Sequence, residues 1–501
     1  MVFRYRLIKS NRLLFKKYIL KIICTVIIIF IIWIIYQSWI ISQLSKLNDM
    51  SISMSDELNL ALIDIENIDE HKDTWRKPDI EGTRIFSAYL DTRPEVVLYE
   101  NRNLFVDNTS WGLIRIIAIL PLYLENSQLT CYFKYKYKNS SFSYIVKKNF
   151  LRIVPIAVRE NFDMYYSAAY ILCPLPFNNI LDKSILKLPH EITVSINSNR
   201  DVKKIKKDEF ITIRYPKKLK DNLIVNNKNN FSICVQPFHH NFDKKIELIS
   251  FIEYYMLMGV TRLTFYRDSV TNDIDKIFDY YKKKNLAIIL EWKLPDIYIF
   301  ERTLRVDGIY AALNDCLYRS ANYLDYKYVI GVDIDEYIVP RIHDNFLQMM
   351  EHLDNDDLNG AWIFRNVFYY LMYDDDPITL PPELPELDVH RKTKRWVETN
   401  RRNDRSKFIV KGKKVVELGN HRIWEMMRLF SIFQRRYQEV EVDPKIGTSN
   451  HYRNCETVIE KCWQKKTIID RTIHRFTLET YVQDGFNAHT GDVFAGDQEL
   501  A

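Results

Sequence analysis

Asp333, Asp335 and Glu336 close the stretch YKYVIGVDIDEYIVP, Tyr326–Pro340. The residues before them are apolar, aromatic and β-branched, the composition of a buried strand. Three acids at the mouth of a core strand repel one another unless positive charge stands between them. Oxygen ligands of this kind suit Mg²⁺ or Mn²⁺, ions that commonly bridge protein carboxylates to substrate phosphates. An Asp-x-Asp at a strand end therefore suggests a nucleotide-diphosphate site; the plainer reading is an Asp-rich strand-to-turn junction.

Other chemistry-bearing residues lie downstream. His390–Lys414 is strongly basic, with Arg391, Arg395, Arg405, Lys407 and Lys411 among its cations. It reads as a mobile loop closing cations over a pyrophosphate or, the preferred reading, as an exposed loop with a solvated charge run. Gly419-Asn-His421 and Ser449-Asn-His451 are polar clusters after apolar segments, and a downstream histidine could complete a metal shell begun by the Asp-x-Asp. Glu417 and Glu425 are candidates for a general base, and each has a purely structural alternative.

The elements that position these groups follow from periodicity. Phe231–Gln236 reads as a strand stopped by Pro237, and Lys244–Met258 as a helix stopped by Gly259. Val260–Tyr266 is the next strand, and Asn272 is expected to cap a helix over Asp273–Lys284. Ala287–Leu290, Ile309–Arg319 and Tyr326–Val332 continue as strand, helix, strand. Such alternation implies a largely parallel sheet, whose ligands bind at the carboxyl ends of the strands, where Asp333 and Asp335 fall. Between Arg84 and Lys220 short strand-like runs dominate, and Thr130–Lys138 alternates as a half-buried antiparallel strand does. The basic run Lys203–Lys220 reads as a solvated edge and linker.

Ile22–Ile41 holds twenty residues without a charge, a helix of roughly 30 Å that matches a bilayer core. Seven basic residues and no acid precede it, from Arg4 to Lys21, which predicts a cytoplasmic N-terminus. The run is too long for a cleaved signal peptide and lacks a small-x-small site after it. A type II signal-anchor is expected. Of 71 Lys+Arg, those seven set topology; the remaining 64 face 65 Asp+Glu, so the basic balance is no argument for a nucleic-acid partner. A lumenal location agrees with six further cysteines, Cys131, Cys173, Cys234, Cys316, Cys455 and Cys462, an even number whose pairing the sequence leaves open. It also agrees with sequons at Asn108, Asn139 and Asn230, the expected glycosylation sites.

The chain resembles glycosyltransferase family 92. The resemblance rests on FSAYLDTR (Phe86–Arg93), ICVQPF (Ile233–Phe238), ELISFIEYYMLMGVTRLTFY (Glu247–Tyr266), ALNDCLYR (Ala312–Arg319), GVDIDEYIVP (Gly331–Pro340), SKFIV (Ser406–Val410), GNH (Gly419–His421) and NHYR (Asn450–Arg453). It implies a GT-A-like (Rossmann-like) α/β domain, a UDP-sugar donor (UDP-galactose in family members), a divalent metal expected to be Mn²⁺, and a β-linked product on a glycan acceptor. On that resemblance Asp333 faces ribose and metal, Asp335 coordinates the metal, and His451 is a third ligand. Gln236, Asp268 and Asp333 are the expected nucleotide-sugar contacts, with Arg267-Asp268 departing from the family's Asn-rich pattern. Glu425 is carried as base candidate.

The implied organisation is a cytoplasmic tail over 1–21, the anchor over 22–41, a stem over 42–80, a β-rich region over 81–225, the GT-A-like domain over 226–490 and a tail over 491–501. Golgi residence follows from the type II expectation. Two rivals stay open: a catalytically silent glycan-binding or enzyme-scaffolding member of the same fold, and a metal-dependent phosphoesterase, which usually needs more clustered ligands than this chain offers.

Overall fold

The computed structural model describes residues 21–36, 38, 74–93, 110–137, 143–157, 160–176, 188–217, 230–299, 303–378, 387–429, 435–456 and 461–476. The chain divides into two units, Met1–Ile65 and Glu66–Ala501. In the first, residues 21–36 are helical and their apolar side chains are exposed. Residues 37 and 39–41 of the expected anchor lie outside the described residues, and among the described residues no helix is long and apolar enough to cross a membrane. Most of the expected stem, the 491–501 tail, Asn108 and Asn139 also lie outside them; Asn230 is described and half-buried.

The second unit is mixed α/β and carries two large sheets. The first is built from β1 (Arg84–Asp91), β2 (Ser110–Pro121), β3 (Thr130–Lys136), β4 (Ser143–Asn149), β5 (Arg152–Pro155), β6 (Tyr166–Pro176), β7 (Glu191–Ser195) and β8 (Ile211–Arg214), in the order β4-β3-β7-β8-β1-β2-β6-β5. Cys131 on β3 and Cys173 on β6 are bonded although their strands stand second and seventh in that order, so the sheet curls back on itself. The reading of Lys203–Lys220 as edge and linker is corrected here. Ile211 and Ile213 are buried, and β8 lies inside the sheet, parallel to β1 and antiparallel to β7. Four of the run's lysines, Lys203, Lys204, Lys206 and Lys207, sit in short turns before that strand.

The second sheet follows as β9 (Phe231–Val235), α1 (Lys245–Leu257), β10 (Val260–Arg267), α2 (Asn272–Lys283), β11 (Ala287–Glu291), α3 (Ile309–Tyr318) and β12 (Tyr328–Val332). Next come β13 (Glu336–Pro340), α4 (Phe346–Leu353), β14 (Asn359–Phe364), β15 (Asn366–Tyr370), β16 (Lys394–Trp396), β17 (Lys407–Lys411), β18 (Val415–Leu418), β19 (Ile423–Met426), β20 (Gln438–Glu441), β21 (Gly447–Arg453) and β22 (Thr467–Ile469). Its order is β11-β10-β9-β12-β17-β14-β20, with β9 to β12 mutually parallel and β17 antiparallel to both its neighbours. A small sheet, β13-β21-β15, stands beside it. Asn272 is the first residue of α2 rather than its cap; Thr271 holds the cap position, in extended conformation, and makes no side-chain cap bond.

α1 and α2 pack in one core with β9, β10 and β12, while α3 lies in a second core shared by both large sheets. That second core is polar at its centre. Asp315 of α3 accepts from Tyr89 of β1 and from Tyr266 of β10, each at 2.6 Å, and pairs with Arg319 at 3.1 Å. A buried carboxylate costs several kcal/mol unless its oxygens are satisfied; here Arg319 satisfies it from the next turn and the two tyrosines from β1 and β10. The Cys234–Cys316 disulfide ties β9 to the same helix.

Candidate active site

Three strands of the parallel sheet deliver the site. Gln236 follows β9, Asp268 follows β10, and Asp333 follows β12. Because β17 runs antiparallel to β12, with Gly331 opposite Phe408, its first residue Lys407 arrives beside Asp333. Gly331 is required there, since a Cβ would lie 2.7 Å from the Phe408 ring.

Lys407 is 1% exposed, and its ammonium donates to Asp333 Oδ2 at 2.9 Å and to Asn420 Oδ1 at 2.8 Å. It also pairs with Glu336 Oε2 at 2.9 Å. Gln236 Nε2 donates to the other Asp333 oxygen, and the Asp333 backbone N–H donates to Glu336 Oε2 at 3.0 Å. This is the positive charge the acid triplet requires, supplied by the protein itself. It also corrects both readings of His390–Lys414: its last part is an inner strand, and Lys407 is neither a loop cation nor a solvated one.

His451 comes from β21, whose register sets it opposite Glu336 of β13. Its Nε2 lies 3.2 Å from Asp335 Oδ2 and its Nδ1 3.2 Å from Glu336 Oε1. Burial pushes the Asp333 carboxyl up to about 7, with Glu336 and Asp335 adding and Lys407 opposing. Burial also disfavours the Asp335 charge, yet His451 and Lys407 outweigh it and hold the carboxyl below its usual range. Against its own burial, His451 is raised by Glu336 and Asp335, while burial and Lys407 push nearby His421 down to about 2, leaving it neutral.

The donors at Asp335 and His451, one carboxylate and one imidazole facing a common cleft, fit a divalent ion whose remaining positions are open to substrate and water. Both Asp333 oxygens already accept, one from Lys407 and the other from Gln236. Among the described residues no three His, Cys, Asp or Glu side chains gather as a closed ligand set.

The cleft measures about 1090 Å³, enough for a sugar nucleotide. Gln236, His239, Asp333, Asp335 and His451 line it, with Lys244, Arg405 and Arg453 bringing positive charge. Asp268 does not line it directly; it pairs at 3.0 Å with His239, which does. Arg267 is ion-paired with Asp275 at 2.7 Å and with Glu291. Glu417 and Glu425 are displaced from the site. They face each other on the β18–β19 hairpin, where Glu417 accepts from the Ala157 backbone at 2.7 Å and Glu425 pairs with Arg436 at 3.1 Å. Neither lines the cleft. All six cysteines expected in pairs are paired, the third disulfide joining Cys455 to Cys462.

The sequence pattern described as glycosyltransferase family 92 matches residues 229–487. No curated protein matches the chain. Solved structures similar in part include S. aureus TarS 1–349, at 14% identity and a TM-score of 0.24, covering 45% of this chain and 60% of that one. Its complexes with UDP (13%, 0.23, covering 44% and 60%) and with UDP-GlcNAc (13%, 0.23, covering 45% and 59%) are alike. The chain thus spans about three fifths of these three structures, and scores this low do not superimpose one site on another.

Proposed function

The chain belongs to glycosyltransferase family 92, and on that footing we propose that it transfers a hexose from a UDP-sugar, galactose from UDP-galactose, to a glycan acceptor with inversion to a β-linkage. The observation that carries this reading is the paired fixing of two acids at the carboxyl end of the parallel strands. Asp333 is clamped by Lys407 and Gln236, and Asp335 is turned with His451 into a cleft edged by cations.

In this reading Gln236, His239 and Asp333 hold the nucleotide end of the donor, with Asp268 orienting the His239 ring. Arg405 and Arg453 compensate charge on the diphosphate, an electrostatic role strengthened by partial burial. Both also lie against the Phe368 ring, at 6.0 and 5.6 Å, which restrains them before substrate arrives. Asp335 and His451 would hold a divalent ion, Mn²⁺ in this proposal, which when bound supplies positive charge at the leaving diphosphate. We place the enzyme on a type II anchor with its catalytic unit in the Golgi lumen, a location that suits three disulfides.

The test is Asp335→Asn in the full chain, assayed for UDP binding by calorimetry and for turnover of a panel of UDP-hexoses with oligosaccharide acceptors. Transfer is expected to fall by at least about a hundredfold, near 2.7 kcal/mol in the barrier. Near-normal transfer in a folded variant would remove the site assignment. Wild-type protein that binds UDP and transfers nothing would favour the silent member of the fold.

A further inference from the structure

Inverting transfer needs a carboxylate that the two glutamates of the β18–β19 hairpin cannot provide, since neither reaches the cleft. Six carboxylates line that cleft: Asp243, Glu247, Asp333, Asp335, Asp388 and Glu456. Four are committed elsewhere. Asp333 and Asp335 are held as described. Glu456 pairs with Arg453. Glu247 pairs through Oε2 with Lys244 at 2.9 Å, and its Oε1 is buried beyond the reach of an acceptor. Asp243 is exposed in the turn ahead of α1.

Asp388 differs from all of these. Oδ1 accepts from Arg391 at 3.0 Å, which fixes the carboxylate plane, while Oδ2 has no partner among the described residues and the side chain is 43% exposed. Its neighbours Leu387 and Val389 are buried, and the Val389 carbonyl accepts from Tyr452, the residue after His451, at 3.4 Å. Asp388 is thereby anchored beside the strand that carries His451. The same three side chains, Lys244, Glu247 and Tyr337, feel the charge of both Asp335 and Asp388, which sets the two acids around one space.

We propose that Asp388 is the general base of the transfer, taking the acceptor's proton on Oδ2; the proposal rests on the transferase reading above. The acceptor oxygen forms the new bond to the anomeric carbon as the bond from that carbon to the diphosphate oxygen breaks. The electron pair of the broken bond leaves with UDP, and the acceptor hydroxyl proton passes to Asp388 and then to solvent. Arg391 keeps the carboxylate aimed during the step. A base of this kind contributes about 10²–10⁴ in rate when its geometry is right.

The experiment compares full-length wild type, Asp388→Asn and Asp388→Glu, measuring UDP binding by calorimetry and kcat and donor KM for transfer. Asp388→Asn is expected to lose about 10²–10⁴ in kcat while UDP affinity and donor KM stay within about twofold, the pattern of an interaction made only in the transition state. Asp388→Glu is expected to recover part of the rate, because it keeps the proton acceptor and changes only its reach. Asp388→Asn with kcat within about tenfold of wild type overturns the assignment. So does loss of UDP binding in that variant, which would make Asp388 a donor-site residue. Failure of the transferase reading looks different: wild type itself then transfers nothing from any UDP-hexose, whether or not it binds UDP, and the base assignment falls with it.

Discussion

Replacing Lys407 by Met tests the electrostatic logic of the site most directly. The substitution keeps the length of the side chain and removes a buried ammonium that contacts Asp333, Glu336 and Asn420 at 2.8–2.9 Å. Two carboxylates are then left in the interior without their cation. Breaking such a pair from one side typically costs about 3–5 kcal/mol, a large part of a net stability of about 5–15 kcal/mol. The loss has a pH signature. Burial already raises the Asp333 carboxyl to about 7, with Lys407 as the cation opposing that rise. An acid whose folded pKa is raised favours the native state while it is protonated, and that contribution disappears as pH rises through the folded value. Without Lys407 the carboxyl rises further, so Lys407→Met should be far less stable than wild type at about pH 8 and less so at about pH 5.5. Urea unfolding followed by tryptophan fluorescence at the two pH values measures this. Adding Glu336→Gln, which removes one of the stranded charges, should recover part of the loss and show the coupling expected of contacting groups. A Lys407→Met protein as stable as wild type at the higher pH would refute the buried-pair argument, and Lys407 would then be a solvated cation after all.

Two further outcomes are expected. Burial, with Glu425 adding, pushes the Glu417 carboxyl from 4.5 to about 7 against the hydrogen bond from Ala157; at about 1.4 kcal/mol per unit this is about 3–4 kcal/mol. The stability tied to its neutral form is complete below about pH 4.5 and is lost as pH rises through 7, so Glu417→Gln should exceed wild type in urea midpoint above neutrality and match it in acid. Equal midpoints at both pH values would mean that the carboxyl is hydrated. The proposed type II orientation predicts that a C-terminal tag survives protease in sealed microsomes and that glycosidase treatment shifts the protein's mobility, through at least one of Asn108, Asn139 and Asn230. A tag digested without detergent would reverse the orientation.

How much of this could be read along the chain depends on the distance over which each feature is determined. The strand–helix alternation from Phe231 to Val332 was legible nearly residue by residue, because periodicity and the stop signals at Pro237 and Gly259 act within a turn or two of the residues they shape. The place of Asp333 and Asp335 at a strand end was legible for the same reason, since the apolar run stops where the acids begin. Their partners were not. Lys407 lies 74 residues from Asp333, and it meets that acid only because β17 inserts antiparallel beside β12, a pairing no local pattern encodes. Averaging charge over His390–Lys414 concealed it, since Arg401, Arg402 and Arg405 around it are partly exposed. The usable signal was narrower, a single lysine opening the apolar run FIV, and an ammonium at such a place must be neutralised by something already buried. β8 escaped notice in the same way, as Ile-Thr-Ile enclosed by lysines. Glu425 failed for the opposite reason. Its chemistry suited a base, but the β18–β19 hairpin that carries it sets Glu417 against Ala157, in the bend just past β5, and side-chain type says nothing about which way a hairpin leans. Along the chain, nothing in residue type or spacing distinguishes Asp388 from the acids Asp374, Asp375 and Asp376. What separates it from them is that Leu387 and Val389 are buried on either side while its outer oxygen stays unclaimed, a combination that exists only once β21 has brought Tyr452 alongside.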